Sequence, residues 1–275
     1  MANAQARISR RSMVQAATLA LFLSSARSAN AEIALATAIN RVARLRALSQ
    51  RSVKAYAQIA LSVLPEPSKT TMATAQRLIQ SAFDDLATNA YSDDITRQLA
   101  TTKSESAKLA ALLAIPAKRE LLAAASQQAD KLTDQANKIT ELLTSLAKSG
   151  GAKILDISGR QRLLSQRTAK NYFLLAANAT SAAGATTIRQ QMTADRAEFK
   201  AAFTVMQNSP ISTQAIRNEM ELCSAQWFLF ETSIDKQLNS PFSMEDVAVT
   251  SERLLDVANN LTVLYEKALK DVLGK

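Results

Sequence analysis

Residues 43–56 read Ala-Arg-Leu-Arg-Ala-Leu-Ser-Gln-Arg-Ser-Val-Lys-Ala-Tyr, and residues 159–172 read Gly-Arg-Gln-Arg-Leu-Leu-Ser-Gln-Arg-Thr-Ala-Lys-Asn-Tyr. At an offset of 116, eight of these 14 positions are identical: Arg44/Arg160, Arg46/Arg162, Leu48/Leu164, Ser49/Ser165, Gln50/Gln166, Arg51/Arg167, Lys54/Lys170 and Tyr56/Tyr172. A weaker echo at offset 122 pairs Leu132/Leu254, Asp134/Asp256, Ala136/Ala258, Asn137/Asn259 and Thr140/Thr262. The chain is therefore read as one unit written twice.

The punctuation between the copies gives the fold class. Only 5 Gly and 5 Pro occur in 275 residues, and good helix formers dominate. No segment alternates with a two-residue period, so helices are expected throughout and no sheet. Pro65, Pro67, the turn at Tyr91-Ser92-Asp93-Asp94, Pro116 and Lys148-Ser149-Gly150-Gly151 divide the first half into helices of about 33–63, 68–89, 93–114 and 117–148. Gly184, Asn208-Ser209-Pro210 and Asn239-Ser240-Pro241 divide the second into about 152–182, 186–208, 211–239 and a last helix to about Leu273, with Ser243 and Asp246 resembling a capping box. Leu132, Ala136, Ile139, Leu143 and Leu146 form one apolar stripe, and Leu254, Ala258, Leu261 and Tyr265 another. Stripes of that kind need partners, so the expectation is all-α: two four-helix units of antiparallel packing, over 32–149 and 150–275. The sequence leaves open whether the units close into one body with a local two-fold, as a fused dimer, or stand in tandem.

Residues 1–31 read as an export signal rather than as fold. Arg7, Arg10 and Arg11 precede an apolar run from about Met13 to Leu23, and Ala29-Asn30-Ala31 fits a small-residue cleavage site. Ser9-Arg10-Arg11 favours the twin-arginine route over the general one. The expected product is a soluble periplasmic protein starting near Glu32. Its charge is about +5, since cleavage leaves 29 basic and 24 acidic residues. No later segment has the length of uninterrupted apolar sequence that a membrane span needs. This mild, dispersed charge suits a small anion or an acidic protein surface and gives no footprint for nucleic acid.

The absence of His and the presence of one Cys, Cys223, exclude an internal disulfide, Ser-His-Asp and Cys-His catalysis, and His or Cys-cluster metal sites. Phosphate-loop glycines and a Gly-x-Ser-x-Gly turn are missing. Asp84-Asp85 and Asp93-Asp94 are adjacent residues that point apart, so they read as helix ends or solvated faces. No enzyme, no metal and no cofactor is expected. Gln226-Trp227-Phe228-Leu229-Phe230 reads as filling the core of the second unit, with a ligand-pocket wall as the alternative.

The chemistry that remains is in the boxes. Arg46, Ser49, Gln50 and Val53 share one helix face, as do Arg162, Ser165, Gln166 and Ala169. A guanidinium presents a planar fork of donors that stays charged and can hold a planar oxyanion by two bonds. One Arg from each copy could clamp one anion, with Ser and Gln adding hydrogen bonds. Arg44, Arg51, Arg160 and Arg167 form a secondary basic face, read either as paired with acids of neighbouring helices or as solvated.

Gly159-Arg160-Gln161-Arg162-Leu163-Leu164-Ser165-Gln166-Arg167 resembles the signature of the N-terminal domain of type IV pili methyl-accepting chemotaxis transducers, the PilJ-like domain. It is also similar to the periplasmic box of nitrate/nitrite sensor kinases, in which an Ile-Asn pair precedes the Gly and Arg. The resemblance implies a four-helix sensor unit in which the box opens the first helix, meets its copy across a dimer, and holds one nitrate between two Arg. By position those are Arg46 and Arg162. The first copy keeps Ile39-Asn40 but has Ala43 where Gly stands in the family, and the second keeps Gly159 but has Leu155-Asp156. Asp156 adds a negative charge beside the box. The expectation is a protein that binds or senses a small anion (nitrate, nitrite or a carboxylate), has no output module of its own, and serves a membrane sensor kinase, chemoreceptor or transporter. The alternative is a ligand-free helical module that docks such a partner.

Overall fold

The computed structural model describes residues 10–147, 150–236 and 241–273, with side chains from residue 34 onward except that of Pro241. The export-signal reading and the turns at 148–149 and 237–240 therefore fall outside the side chains described. Every element among the described residues is helical: α1 Arg10–Ala60, α2 Pro65–Ala87, α3 Asp93–Leu113, a 3-10 turn Arg119–Leu121, α4 Leu122–Leu146, α5 Gly150–Ala176, α6 Ala182–Gln207, α7 Gln214–Ile234 and α8 Pro241–Leu273. None of the described helices is long and apolar enough to cross a membrane.

The helix ends follow local chemistry. Pro65 opens α2, where its missing N–H is not needed. Leu64 before it adopts φ 44°, a strained turn for a branched side chain. Ser181 and Thr213 cap α6 and α7 by accepting from Gly184 N–H and Ile216 N–H. Two expectations are corrected. Gly184 does not end the fifth helix, because α5 stops at Ala176 and turns through Asn178 at φ 50°. Ser243 is not the cap of α8, because that helix already starts at Pro241.

Helix α1 lies against α2, α4 and α5, while α5 lies against α1, α6 and α8, and α8 also touches α1. The four helices that carry the repeat, α1, α4, α5 and α8, thus form the centre, with α2 and α3 outside one half and α6 and α7 outside the other. Arg46–Asn137 and Gln50–Asp130 contacts run α4 antiparallel to α1. Arg162–Asn259 and Gln166–Ser251 contacts do the same for α8 and α5.

Helices α1 and α5 run parallel, with repeat-related residues at one height. Lys54 of α1 pairs with Glu252 of α8, and Lys170 of α5 pairs with Asp130 of α4. Asp130 and Glu252 are themselves 122 apart, so each copy sends its lysine to the other copy's acid. The same exchange links Arg46 to Asp156 and Arg162 to Asn40, which are repeat-related pairs. A local two-fold along the α1–α5 seam relates these contacts.

Ala43 and Gly159 meet at this seam. A Cβ on Gly159 would stand 3.0 Å from the Ala43 Cβ and 3.1 Å from an Arg162 amino nitrogen. Gly159→Ala gains about 1 kcal/mol of helix propensity but forces that contact, which overpacking data put at about 1–3 kcal/mol. Gly159→Ala is expected to lower the melting temperature, and adding Ala43→Gly is expected to recover part of the loss. A double-mutant cycle by thermal unfolding checks it: additive effects would mean that the two residues do not touch.

Candidate functional site

The seam buries an unusual amount of positive charge. Arg46, Lys54, Arg162 and Lys170 are all 2% exposed or less. Side chains on a helix lean toward its N-terminus, so the two Arg reach back along the seam to the height of Asn40 and Asp156 on the opposite helix. Their amino nitrogens lie 3.1 Å (Arg162) and 3.9 Å (Arg46) from the Cβ position of Gly159. The fold therefore brings the two box arginines to one place, with Ala43 and Gly159 between them.

Their partners differ. Arg46 donates to Asn137 Oδ1 at 3.1 Å and to Asp156 Oδ1 at 2.5 Å, an ion pair. Arg162 donates to Asn40 Oδ1 at 2.8 Å, with long contacts of 3.4 Å to Asn259 Oδ1 and to its own helix at Gly159 C=O. No carboxylate lies within ion-pair distance of Arg162 among the described residues. Burial, together with the charges of Arg44 and Arg46, pulls the Arg162 guanidinium down to about 9, still protonated at neutral pH. Asn40 in turn donates to Glu266, which Thr37 and Lys270 also hold. Burial would raise that carboxyl, but these partners outweigh it and keep it below the usual range.

A pocket of about 210 Å3 opens on the Arg162 side, lined by Asn40, Arg41, Arg44, Arg162, Asn259 and Glu266, with Val263. The four arginines of the secondary face divide here. Arg51 pairs with Glu252, Arg160 with Glu198, and Arg167 with Asp195 at 2.6 Å. Arg44 alone among them has no carboxylate partner among the described residues, and burial with the charges of Arg41 and Arg51 lowers its pKa. Its repeat partner Arg160 is neutralised on the other half. The two halves of the seam thus differ in charge pairing: on one, Asp156 and Glu198 form ion pairs with Arg46 and Arg160, although the buried Arg46 Nε has no acceptor; on the other, Arg162 and Arg44 face a pocket without a direct ion pair.

The box serines and glutamines are used elsewhere. Ser49 and Ser165 donate to the backbone carbonyls of Arg46 and Arg162, and Ser49 also meets Thr133 at 3.1 Å. Gln50 donates to Asp130 and Thr133, and Gln166 to the Ser251 carbonyl. Ser49 and the two glutamines dock α4 and α8, Ser165 bonds within α5, and none of them lines the pocket. Asn40, Asn137 and Asn259 were visible in the motif and the weaker echo, yet which acceptor met which Arg depended on helix placement. Buried Lys54 and Lys170 carried no distinguishing sign beyond their identity in both boxes.

In the core behind the box, Trp227 and Phe230 are buried, but Phe228 is 68% and Leu229 45% exposed. Only part of the aromatic stretch fills the second unit. Cys223 is buried, and burial pushes its thiol up to about 12, as for an inert core residue.

Comparison with known protein families, with curated proteins and with solved structures finds no match to this chain.

Two expectations follow from the charge layout. Arg46→Met strands Asp156, whose side chain is 27% exposed, and should cost about 2 kcal/mol, less than breaking a fully buried pair. Arg162→Met removes a buried charge that has no direct ion pair among the described residues and should cost less, or stabilise. Chemical unfolding of both variants checks the order; equal losses would contradict it.

The second concerns acid. Burial raises the Glu252 carboxyl, but Lys54 and Arg51 outweigh it and hold it at about 2, below the ~4.3 of an unfolded Glu. This contribution is complete above about pH 4.3 and is lost as pH falls toward 2. Glu252→Gln should be about 2 kcal/mol less stable than the parent at neutral pH, with the gap closing toward pH 2. Unfolding free energies across that window would refute the pairing if the gap stayed constant.

Proposed function

We propose that this chain binds a small anion in the half-site between Arg44 of α1 and Arg162 of α5, as a periplasmic binding or sensing protein. One observation carries the reading: the protein's own carboxylates pair directly with the arginines on one half of a duplicated seam, while on the other Arg44 and Arg162 make no direct ion pair among the described residues and line a pocket whose one carboxylate, Glu266, is held by Asn40, Thr37 and Lys270. Leaving a buried guanidinium unpaired is costly, and an anion would remove that cost. Arg162 has more N–H donors than its contacts use, and two of those contacts are long. A pocket of about 210 Å3 suits a nitrate, a nitrite or a short carboxylate rather than a larger ligand.

The resemblance of the box to PilJ-like and nitrate-sensor domains supports the same reading, with one difference of geometry. In the family pattern two equivalent Arg share the anion. Here Asp156 already occupies Arg46, so Arg44 stands in as the second cation. Transfer of the bound state to a membrane kinase, chemoreceptor or transporter would follow from the family and is part of the proposal.

A second reading has its own support. The Arg46–Asp156 pair at 2.5 Å and the Asn40 and Asn259 contacts of Arg162 satisfy much of the seam without a ligand, which suits a ligand-free module that docks a partner through its helix faces.

Thermal unfolding with nitrate, nitrite, acetate and chloride separates the two. An anion that binds the folded form stabilises it by about 2.7 kcal/mol at a hundred times its dissociation constant. The expected result is a selective, saturable rise for one oxyanion, absent in Arg44→Ala and Arg162→Ala. Asp156→Asn, which frees Arg46, should strengthen binding several-fold. No selective rise in either the parent or Asp156→Asn would leave the docking module as the correct reading.

A further inference from the structure

Helices α6 and α7 frame a second site. Helix α6 packs on α5 and α7 on α8, and their backbones approach each other little. At one end side chains tie them together: Arg196 reaches Glu231 at 2.8 Å and Asp235 at 2.9 Å, and Lys200 reaches Glu231 at 2.9 Å. Next to these ties Phe199 stacks on Trp227, with ring centroids 3.8 Å apart and planes 13° from parallel. The rest is a cleft of about 1020 Å3, walled by Phe203, Met220, Trp227, Phe228 and Leu229.

Three features of this cleft are unexplained by folding alone. Phe228 and Leu229 are largely exposed on it. The Trp227 indole is 5% exposed, yet its Nε1–H is buried without an acceptor, although buried donors are normally satisfied. Arg217 stands on the wall with a carbonyl contact to Gln207 at 3.2 Å and no carboxylate at ion-pair distance among the described residues.

The duplication supplies an internal control. Phe83 sits 116 residues before Phe199, at the corresponding point of the first unit. The groove there, between α2 and α3, holds about 140 Å3 and has Phe83 as its one aromatic side chain. The repeat-related pair of helices therefore packs with only a small groove, and the second unit has a far larger one lined by four aromatic rings.

We propose that the α6–α7 cleft binds an amphipathic aromatic anion. The ring system lies among Phe203, Trp227 and Phe228, where ring faces and edges are available. The carboxylate or sulfonate lies on the Arg217 side. A cleft that is mostly apolar with a few placed polar groups is the usual make-up of such sites. The site is separate from the Arg44–Arg162 half-site and does not depend on it.

Trp227 is the one tryptophan in the chain, so its emission reports the cleft directly. The full chain would be titrated with anilinonaphthalene sulfonate, reading both Trp227 quenching and dye emission. The expected result is one saturable phase that 2-naphthoate competes away, with the neutral naphthylmethanol competing at least about five-fold less well, the discrimination one charged contact gives. Phe228→Ala should weaken the dye about ten-fold and Arg217→Ala about five-fold, both with parental melting curves because both side chains are exposed. Arg162→Ala should leave dye affinity unchanged. Dye emission that never saturates, or equal affinity in parent and Phe228→Ala, would overturn the proposal. So would a dimer in sedimentation that dissociates in Phe228→Ala, which would assign the face to a second copy.

Discussion

Four cations buried along one helix seam set the terms for this protein. Arg46, Lys54, Arg162 and Lys170 sit where α1 and α5 run side by side, and each must find negative charge or hydrogen-bond acceptors without water. The two lysines solve this by exchange: Lys54 takes an acid from α8 and Lys170 one from α4. Neither half can satisfy its lysine alone, which ties the two copies together more specifically than apolar packing would. Burial lowers both ammonium pKa values even so, against the pull of Glu252 and Asp130, so the exchange costs stability as well as giving register.

At the arginine layer the symmetry breaks through single residues. Asn40 and Asp156 occupy equivalent positions, and the change from amide to carboxylate decides whether the opposite Arg is neutralised. Ala43 and Gly159 also correspond, and the methyl of one fits the space left by the other. Arg44 and Arg160 correspond too, and Glu198 reaches only the second. A homodimer must keep both halves alike. Joining the copies in one chain lets one half become an internal ion pair while the other keeps an open arginine pair. The α2–α3 and α6–α7 grooves show the same freedom, one small and the other an aromatic cleft.

Much of this was legible in the residues. The offset of 116, the Arg-x-x-Ser-Gln box and the Pro-marked ends announced a duplicated helical fold, because proline and capping chemistry act locally. The seam was half legible: the repeat marked Arg46 and Arg162 as equivalent, only the family resemblance implied that they meet, and Asp156 was visible as an opposing charge. What local pattern could not carry was which helix lies beside which face. Ser49 and Gln50 share a face with Arg46, yet they bond to α4 instead of lining the pocket. Arg44 and Arg51 look alike in sequence, but only Arg51 stands near Glu252. Phe228 follows Trp227 directly, and the turn of the helix sends one inward and the other to solvent.

The asymmetry of the seam is most directly tested by diffraction from crystals of the protein soaked in bromate, a small monovalent oxyanion whose bromine gives an anomalous signal. An anomalous peak between Arg44 and Arg162, with the Arg46–Asp156 pair intact and no peak beside it, is the predicted result. A peak at Arg46 with Asp156 displaced, or no peak along the seam at all, would contradict it.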